Sequence, residues 1–132
     1  MESKIRIEVL FPEIANLYGD LANIEYLKKS YPELEVVETH LIGEPEFMKR
    51  VPSLIYMGTL TENGQRLATE KLSHYKEKLA EMIDGGVRFL VTGNALEVFG
   101  GKIEDTDGSV DMGLGIFPIH ARRDMMHRFN SL

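Results

Sequence analysis

The sequence predicts an α/β fold, a three-layer sandwich built around a mainly parallel, flavodoxin-like sheet. Its strand-like and helix-like patterns follow the order β, α, β, β, α, β, α and hairpin, which is typical of this class. A second indication is the segment Gly85–Gly101, GGVRFLVTGNALEVFGG, in which an apolar run passes through a small-residue turn into a short helical pattern. The length of 132 residues, 43% of them hydrophobic, favours a single domain over residues 1–132.

The first strand is predicted over Lys4–Phe11, where apolar and charged residues alternate. This alternation predicts that the face carrying Arg6 and Glu8 is the wetter of the two. Asp20 is a good N-cap residue for the first helix, which continues through Leu27.

Two further strands are predicted around Leu34–Val37 and Ser53–Met57. The charged linker between them, Gly43–Pro52, is predicted to be a surface loop with one helical turn. The clearest helix runs over Glu62–Asp84, where apolar residues recur at steps of three and four, and Thr61 is its predicted cap.

We expect the strands that hold Ile5, Ile55 and Phe89 at the centre of the sheet. After the last helix, Lys102–Asp111 contains an Asp-Gly pair that is a strong hairpin signal, and Gly113–Ile119 is predicted as an outer strand. The tail that follows is rich in His and Arg, and it is either an anion-binding arm or the start of another strand pair.

The segment Val87–Phe99 predicts an elbow, which is a strand, a sharp turn and a helix in direct succession. Its four apolar strand residues, without alternation, predict burial on both faces of the sheet. Such elbows present one residue at the carboxyl end of the sheet, where open α/β folds place their active sites. The candidates for the apex are Thr92, Gly93 and Asn94, and a glycine at a strained apex is expected to have a positive φ.

Three segments together resemble a known family: LFPEIANLYGDLANIEYL, IYMGTLTENGQ, and FLVTGNALEVFGG followed by GLGIF. They are similar to class I glutamine amidotransferase-like domains of the CobB/CobQ type. Within that family they are most similar to small subunits of the lipid II isoglutaminyl synthase kind and to clostridial relatives described as cobyric acid synthases. The resemblance covers nearly the whole chain, although domains of this family are longer, so it implies a short or truncated form.

The resemblance also implies an amidotransferase site that lacks its nucleophilic residue. The family carries a nucleophilic cysteine at the elbow, whereas counting back from Gly100 places Gly93 there, and the chain has no cysteine. Gly58 and Thr59 match the family's glycine-rich oxyanion segment, and the amide of Asn94 follows the apex. The elbow is therefore predicted to be degenerate and to have no catalytic residue.

A second group of candidate site residues follows the first strand. Its members could contact a ligand at the carboxyl end of the sheet, or they could be turn and cap residues of the local backbone, and the sequence leaves both interpretations open. The group consists of Asn16, Tyr18, Gly19, Asp20 and Asn23.

Charge and composition exclude several classes of protein. The net charge of −6 disfavours nucleic acid as a partner, because phosphate contacts need a basic surface. Histidine and acidic spacings match no metal motif, so neither a metal nor another cofactor is expected. The start of the sequence has no signal-like or membrane-spanning segment, which predicts no membrane association and a cytoplasmic location.

Two functions of different classes remain. The first is an amidotransferase-like subunit that binds without hydrolysing, with a Mur ligase-like or cobyric acid synthase-like partner protein. The alternative is a flavodoxin-like module that binds a small molecule or serves dimerisation. We also expect a homodimer in which residues from about Gly113 to Leu132 pack across the partner, because unpaired strand edges recruit further strands.

Overall fold

The computed structural model describes residues 5–17, 19, 21–104, 110–116, 120–123 and 128–131. Their helices and strands follow the predicted order and form two four-stranded sheets. The strands of the first sheet are β1 Arg6–Leu10, β2 Glu35–Thr39, β3 Leu54–Met57 and β4 Arg88–Val91. The helices are α1 Ala22–Ser30, α2 Glu62–Ser73, α3 Lys76–Asp84 and α4 Ala95–Phe99, with one 3₁₀ turn at Glu46–Met48. The strands of the second sheet are β5 Lys102–Glu104, β6 Val110–Met112, β7 His120–Arg123 and β8 Arg128–Ser131.

The first sheet is parallel throughout, with the order β2-β1-β3-β4. This confirms the predicted α/β class with a mainly parallel sheet. β1, which begins directly after Ile5, and β3, which holds Ile55, are central, but β4, which holds Phe89, lies at the edge of the described sheet. The prediction of a central β4 was therefore wrong.

Helices cover the two faces of this sheet unequally. On one face, Ile7, Val9 and Tyr56 pack with Ile24 of α1. On the other face, a larger core joins β1, β3 and β4 to α2, α3 and α4, and its fully buried members include Phe47 and Phe99.

The strand β4 is not buried on both faces, as its apolar sequence had predicted. Phe89 and Val91 pack against the larger core, whereas Leu90 is 48% exposed and Arg88 is also exposed. Arg88 and Leu90 point to the α1 face, since residues alternate along a strand, and the core on that face does not include them. An apolar run predicts burial only where a second layer covers the strand.

The long predicted helix is divided in two at His74 and Tyr75. Tyr75 has φ −123° and ψ 20°, outside helical values, although the apolar stripe continues from Ala68 and Leu72 to Leu79 and Met82. The predicted cap is confirmed, because Thr61 accepts a hydrogen bond from the amide of Gly64 at 3.0 Å.

The first helix begins one residue later than predicted. Leu21 occupies its N-cap position, so the assignment of that position to Asp20 was wrong, and Asp20 itself lies outside the described residues. The amide of Leu21 donates to Asn16 Oδ1 at 2.9 Å. The asparagine before the turn thus supplies an oxygen at the start of this helix.

The predicted wetter face of the first strand is buried. Arg6 is 7% exposed and Glu8 is fully buried, because the 3₁₀ turn in the linker, which contains Phe47, covers this face. The helical turn that was expected in the linker is confirmed by this element. The alternation of apolar and charged residues in β1 gave no indication that this turn buries the face carrying Arg6 and Glu8.

In the C-terminal region the predicted hairpin is confirmed, whereas the predicted outer strand is not, over the residues that the structure describes. β5 and β6 form the expected antiparallel hairpin, whose Asp-Gly turn lies outside the described residues. Residues 113–116 are not a strand; Leu114 and Ile116 donate their amides to the carbonyls of Val98 and Phe99. The tail forms the antiparallel pair β7–β8, which is the second of its two predicted interpretations.

Candidate functional site

Three loops meet at the carboxyl ends of β1, β3 and β4. The loop after β1 begins at Phe11, a buried residue with φ +52°, which is uncommon for a residue other than glycine. The amide of Leu17 in this loop donates to the carbonyl of Thr59, which follows β3, at 3.1 Å. The first and second loops are thus hydrogen-bonded to each other.

The elbow after β4 has the predicted form. Thr92 donates its amide to the carbonyl of Met57 and accepts from the amide of Ala95, so the turn lies directly between the strand and α4. Gly93 has φ +55°, which confirms the expected positive angle at the apex. A Cβ atom at this position would lie 2.7 Å from Thr59 Oγ1. The β3 loop and the apex are therefore in direct contact.

Asn94 connects the elbow to the β3 loop with both polar atoms of its side chain. Its Oδ1 accepts from the amide of Leu60 at 2.8 Å, and its Nδ2 donates to the carbonyl of Leu60 at 2.5 Å. The side-chain amide of Asn94 thus pairs with the backbone of Leu60 as a residue of a neighbouring strand would. The two bonds fix the distance between the elbow and the β3 loop. Thr59 and Asn94, two of the predicted oxyanion residues, are brought together by it.

Two further polar residues of this site were missed by the sequence analysis. Gln65 of α2 donates from Nε2 to the carbonyl of Asn94 and to Oε1 of Glu97, each at 2.9 Å. Gln65 and Glu97 are each only 2% exposed. We call Gln65, Asn94, Glu97 and the backbone of Leu60 the elbow cluster. The available signal was the position of Gln65 on the buried stripe of α2, three residues before Ala68.

The candidate residues after β1 have structural partners where they are described. Asn16 accepts from the amide of Leu21, and Asn23 Nδ2 donates to the hydroxyl of Tyr56 at 3.3 Å. Gly19 has φ +72°, which suits a turn. Tyr18 and Asp20 lie outside the described residues. Asn16 and Gly19 thus have the turn geometry of the second interpretation, and the ligand contact stays a prediction.

A second buried polar group joins β1, the end of β2 and the 3₁₀ turn of the linker. Thr39 donates its hydroxyl to Glu8 Oε2 at 2.6 Å and accepts the amide of Glu46 at 3.0 Å. Arg6 lies near Glu46, with 3.9 Å between Nη2 and Oε2. We call these four residues the strand cluster.

The carboxyl group of Glu8 is the perturbed member of the strand cluster. Burial raises the pKa of Glu8 above its ordinary value, and the Thr39 hydrogen bond, the backbone of Phe47 and the Arg6 charge oppose this only in part. Its Oε1 atom is buried without a hydrogen-bond partner. This arrangement favours the protonated acid.

Within the described ranges, no three His, Asp or Glu residues are grouped so that they could hold a metal ion. Among the helices of the same residues, none is both long and apolar enough to cross a membrane.

The parallel sheet and the elbow at its carboxyl edge define an α/β domain of the kind that carries a functional residue at a strand–turn–helix junction. No family model matches the chain. It is similar to the GatD subunit of the glutamine-hydrolyzing lipid II isoglutaminyl synthase of Staphylococcus aureus (strain N315), with 33% identity over 110 residues. That alignment covers 80% of this chain and 44% of the relative, so the chain spans less than half of the relative's length. The similarity supports a glutamine amidotransferase-like relationship.

Proposed function

We propose that this chain is a glutamine amidotransferase-like domain that binds a ligand at the elbow without hydrolysing it. The observation that carries the proposal is Gly93, which stands at the elbow apex with φ +55° in a chain without cysteine. Amide hydrolysis by this kind of site needs a nucleophile at the apex, and glycine has no side chain to supply one. Thr92 lies one residue earlier, and an unactivated hydroxyl is a much weaker nucleophile than a thiolate.

The proposal that the site binds a ligand is supported by the hydrogen bonds of Asn94. Asn94 holds the β3 loop against the elbow, so the backbone amides around Thr59 and Asn94 belong to adjoining segments. Backbone amides on such segments are the usual donors to a carbonyl oxygen or an oxyanion. The ligand class that suits this arrangement is a carboxamide such as the side chain of glutamine.

The proposal includes a partner protein. The similar protein from Staphylococcus aureus is described as a subunit of a synthase. We propose that this chain likewise acts with a Mur ligase-like or cobyric acid synthase-like protein. In that assembly the chain binds its ligand without hydrolysing it and has a regulatory or scaffolding role.

The proposal has two parts, the absence of hydrolysis and the binding of a ligand, and separate measurements of ammonia release and of ligand binding test them. The purified chain is expected to release no ammonia from glutamine, and turnover that Thr92→Ala abolishes would contradict this. Titration with glutamine, followed by backbone amide NMR, is expected to shift Gly58, Thr59 and Asn94. An unchanged spectrum at millimolar glutamine would reject binding, and exposed Asn63 provides the reference signal.

A dimerisation module is the second candidate, and the exposed edge strand β4 favours it. The amides of Arg88 and Thr92 donate toward β3, so Phe89 and Val91 direct their backbone groups to the outer edge. An antiparallel copy related by a two-fold axis at Leu90 would pair Phe89 with Val91 of the other copy. It would also bury the two Leu90 side chains against each other. We therefore propose the edge of β4, instead of the C-terminal segment, as the homodimer contact.

Light scattering at micromolar concentration tests this candidate. A dimer mass is expected for the native chain and a monomer mass for Leu90→Asp. Leu67→Asp is the matched control, since Leu67 is also a partly exposed leucine, at 38%, but lies on α2. A monomeric native chain, or equal effects of the two variants, would reject dimerisation through β4.

A further inference from the structure

We infer that Thr59 fills the space above the elbow apex and adds a steric restriction to the one that the positive φ of Gly93 already places on side chains at position 93. A Cβ atom built on Gly93 would lie 2.7 Å from Oγ1 of Thr59, 3.2 Å from its Cγ2 and 3.5 Å from its Cβ. Real Cβ atoms essentially never approach another heavy atom within 3.0 Å. Both branches of the threonine side chain therefore face the apex.

Rotation of the threonine side chain does not remove the conflict. The two heavy atoms on Cβ occupy two of the three staggered positions, and two of these positions face Gly93. Any rotamer therefore leaves at least one heavy atom in contact with the new Cβ. A rotamer that puts hydrogen in the closer position would still leave a heavy atom near the present 3.2 Å, so the β3 loop or the elbow must shift by a few tenths of an ångström.

The backbone of Thr59 is held on both sides. Its own carbonyl accepts the amide of Leu17, and the next residue, Leu60, is bound at both its amide and its carbonyl by Asn94. Thr59 is only 8% exposed. A side chain at position 93 must therefore push against a loop that the elbow itself holds in place.

The contact has a consequence for the vacant nucleophile position. A cysteine at position 93 would bring a Cβ atom into the space of Thr59, so replacing Gly93 alone would force the elbow or the β3 loop to shift. The pair Gly93→Cys and Thr59→Ala removes the two atoms at 2.7 and 3.2 Å and leaves the Cβ atom of residue 59 at 3.5 Å, an ordinary van der Waals distance. Equating position 93 with a nucleophile rests on the proposed function, whereas the contact does not.

Thermal unfolding of a mutant cycle tests the inference without any measurement of activity. Gly93→Ala is introduced into the native chain, into Thr59→Ala and into Thr59→Val. Valine keeps the shape of threonine without its hydroxyl, so it separates steric contact from hydrogen bonding. Gly86→Ala is the control for backbone strain, because Gly86 has φ +94° and open space around its Cβ position.

Gly93→Ala is expected to lower the melting temperature by about 5–10 °C in the native and Thr59→Val backgrounds, and by less than half as much in Thr59→Ala. Gly86→Ala should give the same shift in all three backgrounds. If Gly93→Ala does not fold, recovery of a cooperative transition in the double variant with Thr59→Ala supports the inference.

Equal losses in the native and Thr59→Ala backgrounds would overturn the inference. So would failure of a folded Thr59→Ala chain to rescue Gly93→Ala. These outcomes leave the proposed function standing, because ammonia release and glutamine binding are measured on the unmodified chain.

Discussion

The elbow cluster and the strand cluster are both buried polar groups, and each contains a buried carboxyl group, Glu97 or Glu8, but they join their segments through different hydrogen bonds. In the elbow cluster, Asn94 uses the donor and the acceptor of its amide on the backbone of one residue, Leu60. In the strand cluster, Glu8 has one oxygen bonded to Thr39 and one buried oxygen without a hydrogen-bond partner. Paired amides fix a distance between loops, whereas a partly satisfied carboxyl group links the stability of the sheet to its protonation.

Asn94→Ala is expected to have the largest effect of the changes considered, because it removes both bonds to Leu60 at once. The amide and carbonyl of Leu60 then lose their partners, at a cost of about 2–4 kcal/mol in the free energy of unfolding. Urea denaturation measures this loss. Asn63→Ala is the control, since Asn63 is exposed on α2 and should change stability by less than about 0.5 kcal/mol. A loss for Asn94→Ala as small as that of the control would show that the loops do not depend on this pair.

Thr39→Val tests the strand cluster at its central hydrogen-bonding group. The hydroxyl of Thr39 accepts the amide of Glu46 and donates to Glu8, and valine can do neither. The expected loss is about 1–2 kcal/mol in urea denaturation. Thr39→Ser keeps the hydroxyl and should retain the hydrogen-bonding part of this stability. If serine and valine destabilise equally, packing of the methyl group, and not the hydroxyl, is what matters.

The turn at the elbow was predictable because a sharp turn between a strand pattern and a helix pattern often needs a positive φ, which glycine adopts at little cost. The residues alone left Thr92, Gly93 and Asn94 as candidates for the apex, the family resemblance singled out Gly93, and the positive φ expected there is confirmed. The cap at Thr61 was predictable for a similar reason, since capping depends on a few neighbouring residues. Local backbone chemistry is therefore what the sequence reports best.

Features that depend on distant segments were not predictable. The apolar run of β4 gave no indication that its α1 face is uncovered at Leu90. Gln65 and Glu97 are 32 residues apart in the chain, and no local pattern identifies their hydrogen bond. Arg6 and Glu8 alternate with apolar residues as on a solvated face, and only the packing of the linker turn shows that this face is buried. Such contacts form only when the chain has folded.

The buried carboxyl of Glu8 also links the stability of the strand cluster to pH. Burial raises its pKa above the ordinary value of 4.5, the nearby Glu46 charge raises it further, and Arg6 and the bond from Thr39 lower it. The folded chain thus holds this proton more tightly than the unfolded chain does. The stability that Glu8 contributes is fully present below about pH 4.5 and is lost as the pH rises through the raised pKa.

Glu8→Gln removes this dependence, because the amide cannot ionise. The native chain should lose stability relative to Glu8→Gln above about pH 4.5, with a slope of up to about 1.4 kcal/mol per pH unit until the folded-state pKa is passed. Urea denaturation between pH 4 and 8 measures the difference. Glu70→Gln, at an exposed position on α2, should run parallel to the native chain over the same range. A constant difference between the native chain and Glu8→Gln would mean that folding does not raise the pKa of Glu8, since a carboxyl group with the same pKa in both states contributes no slope.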